Sequence, residues 1–378
     1  MRVLIVHNIL WAHYKAALFT ELAKQCPSDS QLLVLQFANN EYKYQQLGKS
    51  GMISHDYPYI LLHRGPLEEV TFSSKVRFVL KHIKTFKPDL VNVTGYYDPA
   101  FWIIILICKL KGIKLVMSNE SGEKDGTRNG LKEVFKRFLI SCFHGFIFFG
   151  KSSSKYIFHL GANPSQIITQ HAAVINTSVV KSRFEQAKHT RTASFKTTHH
   201  FIFTGRLAQE KNVSLLIRAF SWLKQNDSFA EHWGLLIVGD GPLREKFISQ
   251  TSEKDIHWLG GHPWHEVPVY LALADALVLP SFFEPWGLVV NEAMTCGLPV
   301  LVSSQCGCVE DLVENGGNGY TFDPMQIDSL IRVMQEFIHL SQKKRDEMGN
   351  RSLELISPFS EQRAANEIWE GFKRIIHP

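Results

Sequence analysis

In the stretch FFEPWGLVVNEAM, residues 282–294, two glutamates stand eight positions apart around a Trp-Gly pair. Glu284 precedes a proline and reads as a loop residue, whereas Glu292 sits in an apolar, helix-like run that Gly297 stops. Carboxylates accept hydrogen bonds from hydroxyl groups, so the two can hold two hydroxyl-bearing pieces of one ligand. The backbone amides of Trp286, Gly287 and Leu288 then fall near a helix start, where unpaired N–H groups suit an anion or a sugar oxygen. On spacing alone, a plain helix with Glu in its first turns remains the stronger reading, because the helix dipole favours acid there.

A second group lies upstream in FTGRLAQEKN, residues 203–212. Gly205 marks a tight turn at a strand end, and Arg206 and Lys211 follow it. Two cations at that place suit a pyrophosphate: Arg engages oxygens in a bidentate fork and Lys acts as a mobile point charge. They can also neutralise a developing phosphate leaving group. A solvated basic turn, or an ion pair with Glu210, is the competing reading. In VGDGPLREKF (238–247), Gly239 and Gly241 flank Asp240 where a strand turns into a helix. The full dinucleotide-binding pattern is missing, so a structural turn is preferred there to ligand contact.

These groups need elements to position them. Short apolar runs at 3–8, 32–37, 90–95, 114–119 and 144–150 alternate with helical stretches such as 13–25 and 73–86. That alternation signals a parallel α/β sheet whose strands are buried on both faces. After a polar, basic, unpatterned stretch at 181–200, the rhythm restarts with strands at 200–206, 234–240, 255–261, 275–281 and 298–304. The expectation is two doubly wound domains in tandem facing an interdomain cleft, with ligands at the carboxyl ends of the strands. The boundaries are 1–185, 195–358, and a final segment 359–378. That segment is a helix capped by Ser360, expected to cross back to the first domain.

The 378 residues, 45% hydrophobic and 20% charged, are globular in composition and too many for one core. Six scattered cysteines without C-x-x-C spacing argue against a disulfide framework or zinc site and suit a reducing cytoplasm. The start MRVLIVHNIL reads as a first strand, not a signal peptide, and the longest apolar runs, 101–108 and 138–150, fall short of the roughly 18 residues of a membrane span. Residues 1–180 carry 21 Lys and Arg against 12 Asp and Glu, whereas residues 197–378 carry 15 against 23. A basic front and an acidic back suggest different partners for the two halves. No aromatic-interleaved basic platform for single-stranded nucleic acid stands out, and no nucleic-acid partner is expected. In residues 128–146, Arg128, Lys132, Lys136 and Arg137 interleave with apolar residues at near-helical spacing. This segment either packs on its own sheet or lies on an anionic membrane, with peripheral attachment at the inner face as the consequence.

Taken in order, GRLAQEKN, VGDGPL, WLGG, PSFFEPWGLVVNEAM, CGLPVLVSSQCGCVEDLVENGGNGYTFDP and FSEQRAA resemble the family 4 retaining glycosyltransferases (glycosyl transferases group 1), over roughly residues 200–375. The resemblance implies the GT-B fold: α/β, with two Rossmann-like domains, the first for the acceptor and the second for the donor. It implies catalytic roles for Arg206 and Lys211 on the donor diphosphate and for Glu284 on the donor sugar. It places Gly205, Gly261, His262, Trp286, Gly287, Leu288 and Glu292 in donor binding, Glu292 on the ribose and the WLGG loop near the base. The implied activity is retaining, metal-independent hexosyl transfer from a nucleotide-diphosphate sugar, UDP favoured and GDP the alternative, to a lipid-linked or cell-surface glycan. No cofactor or metal is expected, since the nucleotide sugar is a substrate and no D-x-D pair occurs. Two departures concern the acceptor side. The loop after the first strand, HNILWAHYK, lacks a glycine pair, and SNESGEKDG stands where relatives place a histidine. His13, Asn119 and Glu120 are therefore the candidates for acceptor or sugar contact, with a Glu120–Lys124 pair as the alternative. A nucleotide-sugar epimerase on the same fold, and a non-catalytic binding module using the basic half, are the competing functions.

Overall fold

The computed structural model describes residues 1–42, 53–120, 130–188 and 195–377, with the side chains of 130–132 excepted. Among these, the residues before Asn176 together with Phe359 onward form one compact unit, and Asn176–Pro358 form a second.

The first unit is built on seven parallel strands: β1 (Arg2–Ile9), β2 (Gln31–Asn40), β3 (Tyr59–Pro66), β4 (Leu90–Thr94), β5 (Lys114–Asn119), β6 (Gly145–Phe148) and β7 (Ile167–Thr169). They lie in the order β3-β2-β1-β4-β5-β6-β7. The central strands are buried on both faces; Val3, Leu4, Ile5 and Val6 of β1 are all inaccessible. That explains why they read as unbroken apolar runs rather than alternating ones. Strand β3 is an edge strand, with Tyr59 and Ile60 exposed and His63 and Arg64 following its apolar start.

The carboxy-terminal helix, Glu361–Ile376, belongs to this unit. Ser360 caps it by accepting from the Arg363 amide. Its apolar stripe of Ala364, Ala365, Ile368 and Phe372 is buried, and the Trp369 indole donates to the Leu22 carbonyl of the helix His13–Lys24 at 2.9 Å. A spacing of 364, 365, 368 and 372 is one face of an α-helix, and burial of that face holds the helix in place.

The second unit carries six parallel strands: β8 (His199–Thr204), β9 (Trp233–Val238), β10 (Ile256–Gly260), β11 (Ala276–Leu279), β12 (Val300–Ser303) and β13 (Gly319–Phe322). Their order is β10-β9-β8-β11-β12-β13. An aromatic group of Phe201, Trp233 and Phe337 fills one side, with Phe201 and Trp233 rings stacked at 4.6 Å. In both sheets the winding reverses between two adjacent strands, β1/β4 and β8/β11. Chains leave these pairs in opposite directions, which opens a crevice at the carboxyl ends.

The glycines of VGDGPL serve this packing. The Gly205 amide donates to the Val238 carbonyl at 3.0 Å and the Leu207 amide to the Asp240 carbonyl at 2.8 Å, so the chain after β8 lies directly on the chain after β9. A Cβ at Gly239 would stand 1.9 Å from the Gly205 carbonyl oxygen, which leaves no room for any side chain. The motif is a structural turn, as the sequence reading preferred. All six cysteines are unbridged. Among the described residues no helix is long and apolar enough to cross a membrane.

Candidate functional site

Two loops meet where the second sheet reverses. The loop after β8 carries Gly205 and Arg206 and ends in a single 3-10 turn, Gln209–Lys211. The loop after β11 runs from Pro280 to Gly287. The Phe282 amide donates to the Glu210 carbonyl at 2.9 Å and ties the two together. At this junction the Lys211 ammonium forms an ion pair with Glu284, and the Ser281 hydroxyl lies 3.4 Å from the same carboxylate oxygen. Both side chains are largely shielded, 19% and 17% exposed, so the pair is screened less than a surface one. Arg206, more open, pairs with Glu210. Burial alone would raise the Glu210 carboxyl; its hydrogen bonds to backbone and to Arg206 outweigh that and hold it below its ordinary value.

The far side of the second loop is pinned to the chain after β12. The Gly307 amide donates to the Glu284 carbonyl at 3.0 Å and the Cys308 amide to the Trp286 carbonyl at 3.1 Å. The Trp286 indole is buried and donates to Asn291 Oδ1 at 2.8 Å, so its ring is a prop beneath the loop and offers no ligand-facing surface. Gly287 adopts φ of 101°, a left-handed conformation that favours glycine, and turns the chain into the helix Leu288–Thr295. No side chain caps this helix start by a hydrogen bond. Glu292 lies in this helix and is buried; burial pushes its carboxyl up to about 8. It therefore holds its proton near neutral pH and can donate as well as accept.

Gly261 and His262 follow β10, with Gly261 packed against Asp240. The His262 ring is occupied locally, 3.0 Å from the Leu259 carbonyl, 3.2 Å from Glu266 and 2.8 Å from the Tyr270 hydroxyl. The reversal thus gathers Arg206, Lys211 and Glu284 at one junction, with Gly287, Leu288 and Glu292 on the element that continues it. His262 stands in the loop after β10, the outer strand of the sheet.

The first unit has its own polar group at the ends of β1 and β5. Asn119 closes β5, buried, and its amide donates at 2.8 Å to the Ser153 carbonyl in the first turn of the helix Lys151–His159, which follows β6. Glu120 follows and meets Lys15, whose ammonium lies 2.6 Å away, and the Tyr14 hydroxyl, at 3.1 Å. Glu120 therefore has Lys15 as a partner; the alternative pairing with Lys124 lies outside the described residues. Burial raises the Glu120 carboxyl, but the charges of Lys15 and His7 and its hydrogen bonds carry it below its ordinary value. His13 opens the helix His13–Lys24, and burial lowers its imidazole to about 4. Lys15, 3% exposed, was not among the sequence candidates. Its signal was a charge on the apolar stripe formed with Leu18, Phe19 and Leu22, where a buried lysine requires an acid.

Comparison with known proteins bears on the second unit. Residues 184–354 match the family Glycosyl transferases group 1. The second unit is a glycosyl transferases group 1 domain. A curated relative, the alpha-D-kanosaminyltransferase of Streptomyces kanamyceticus, is 28% identical over 179 residues, 46% of this chain and 45% of the relative. The chain thus spans under half the length of that relative. Solved structures match throughout: a glycosyltransferase from Rickettsia africae at TM-score 0.76 and 15% identity, covering 100% of this chain and 98% of that one. Anabaena HepE in complex with UDP matches at TM-score 0.73 and 19% identity, covering 99% and 100%. These establish the fold as GT-B, two Rossmann-like units each on a parallel sheet. The group 1 domain holds Arg206, Lys211, Glu284 and Glu292 within its matched residues. His13, Asn119 and Glu120 lie outside them.

Proposed function

We propose that this protein is a retaining, metal-independent glycosyltransferase that moves a sugar from a nucleotide-diphosphate sugar to an acceptor hydroxyl. The observation that carries the reading is the Lys211–Glu284 pair at the sheet reversal of a group 1 domain, with Arg206 beside it. A shielded cation and a hydroxyl-binding carboxylate in contact are what a diphosphate esterified to a sugar requires. In the free protein each neutralises the other. A bound diphosphate replaces Glu284 as the partner of Lys211 and releases Glu284 to accept from the sugar hydroxyls. Glu292 takes the ribose hydroxyls, and the amides at Gly287 and Leu288 face the phosphates.

Arg206, Lys211 and the helix start then stabilise charge on the departing diphosphate, the task a metal performs elsewhere. Front-face attack lets the acceptor hydroxyl pass its proton to that phosphate, so no protein nucleophile is needed. UDP is the favoured nucleotide, since HepE is a structural neighbour in complex with UDP; GDP is the alternative. The acceptor, a lipid-linked or cell-surface glycan, is assigned to the first unit, with Glu120 and His13 as its contacts.

Thermal unfolding against a panel of nucleoside diphosphates and nucleotide sugars tests the donor site. A ligand at about 100 times its dissociation constant adds about 2.7 kcal/mol of stability. Stabilisation by one nucleotide class, lost in Lys211→Ala, is the expected result. Stabilisation by none of them would overturn the reading. Product analysis with the stabilising donor separates transfer from epimerisation: an epimerase converts the donor without any acceptor.

A further inference from the structure

The helix Pro99–Leu110, sequence PAFWIIILICKL, is apolar apart from Lys109 in its last turn. Its inner face, Phe101, Ile104, Ile105 and Cys108, is buried in the core of the first unit. Its outer face is apolar too. Ile103 is 37% exposed and Leu110 87%, with Leu106 and Ile107 partly exposed between them. This is the i, i+3, i+4, i+7 stripe of a second buried face, turned to solvent.

The neighbouring helix, Gly130–Ile140, repeats the pattern. Val134 is 66% exposed, Phe135 37% and Phe138 48%. The two helices touch through Trp102 and Phe135, whose rings meet edge to face at 4.8 Å. Two adjacent outward stripes therefore make one apolar surface, larger than the scattered exposed residues normal for a protein exterior.

Among the described residues, the exposed charges on the two helices are cations. Residues 99–119 contain Lys109, Lys111 and Lys114 and no acid. Lys109, Lys111 and Arg137 are exposed. Glu133, the acid of the second helix, is turned inward to Lys136 and the Tyr156 hydroxyl, both at 2.8 Å. An acidic protein surface would meet the cations but not the seven apolar side chains between them. A second copy would set cation against cation. An anionic bilayer supplies both a negative surface and an apolar layer beneath it.

We infer that the outer faces of the helices Pro99–Leu110 and Gly130–Ile140 form a docking surface for an anionic lipid bilayer. Ile103, Leu110, Val134 and Phe138 enter the acyl boundary, and Lys109, Lys111 and Arg137 lie among the headgroups. This is independent of the glycosyl-transfer reading, since no residue of the group 1 domain takes part. It reassigns the run 101–108, too short to span a membrane, as a segment that lies on one.

Vesicle flotation of the full chain tests it, with neutral phosphatidylcholine vesicles and with vesicles carrying about one-third phosphatidylglycerol. The expected result is binding to the anionic vesicles only, weakened by raised salt. Two variants separate the contributions, both on exposed positions so that folding is retained: Leu110→Ser with Phe138→Ser, and Lys109→Glu with Arg137→Glu. Each lowers partitioning at least ~10-fold, while the melting temperature and nucleotide-induced stabilisation stay unchanged. Absence of flotation at low salt, or equal flotation of both variants and wild type, overturns the proposal. So does a wild-type dimer in light scattering that the Leu110→Ser, Phe138→Ser variant converts to monomer, because the face would then be a contact between copies.

Discussion

Glu292 ties the stability of the group 1 domain to pH in an unusual direction. Its carboxyl ionises near 4.5 when free and at about 8 in the folded chain, through burial. Between these values the folded state holds a proton that the unfolded state has released, so stability falls as pH rises. At ~1.4 kcal/mol per pH unit, the interval from 4.5 to about 8 caps the total at about 5 kcal/mol. Between pH 5.5 and 7.5 the loss is about 2–3 kcal/mol. Glu292→Gln keeps the shape and hydrogen-bonding reach and removes the titration. His7 and His13 act oppositely. Burial lowers each to about 4, so their contribution is present above the unfolded value of 6.5 and is lost as pH falls towards 4. Both are unchanged in the variant and cancel in the difference. Urea unfolding followed by tryptophan fluorescence suits the measurement, because the Trp286 indole is bonded to Asn291 in the same helix as Glu292. The stability of Glu292→Gln minus that of wild type should rise by about 2–3 kcal/mol from pH 5.5 to 7.5. A difference that stays flat would refute the reasoning, since Glu292 would then be ionised in both states across the range.

Further outcomes follow from the packing and the ion pairs. Gly239→Ala places a methyl against the Gly205 carbonyl and should destabilise by about 2 kcal/mol or more in denaturant titration, displacing Arg206 with it. A double-mutant cycle on Lys15→Met and Glu120→Gln should give a favourable coupling of about 1–3 kcal/mol, because either change alone leaves a poorly solvated partner. Glu284→Gln should lower the turnover of the nucleotide sugar about 10²–10³-fold in a product assay while nucleoside diphosphate binding, which draws on Lys211, Arg206, Glu292 and the helix-start amides but not on the sugar-binding carboxylate, is retained.

The sequence by itself determined the layout of this protein. Doubly buried parallel strands must be continuous apolar runs, and ten of the strands lie where such runs occur. The three it did not show are the edge strand β3, with exposed residues, and the short β7 and β13, of 3 and 4 residues. Three residues in β7, and the Gly-Tyr-Thr-Phe of β13, form no continuous apolar run, and the run Tyr59–Leu62 of β3 passes directly into His63 and Arg64. The types and order of Arg206, Lys211, Glu284 and Glu292 were also legible, because the first two follow a strand end in one short stretch and the second two flank a helix start in another. Contacts across the chain were not. That Lys211 meets Glu284, 73 positions away, depends on β8 and β11 being neighbours at the sheet reversal. That Glu120 takes Lys15 as its partner depends on β1 and β5 ending at the same edge. Sequence spacing sets which face of an element a residue occupies. Strand order sets what that face meets, and strand order is fixed by the folding of the whole sheet.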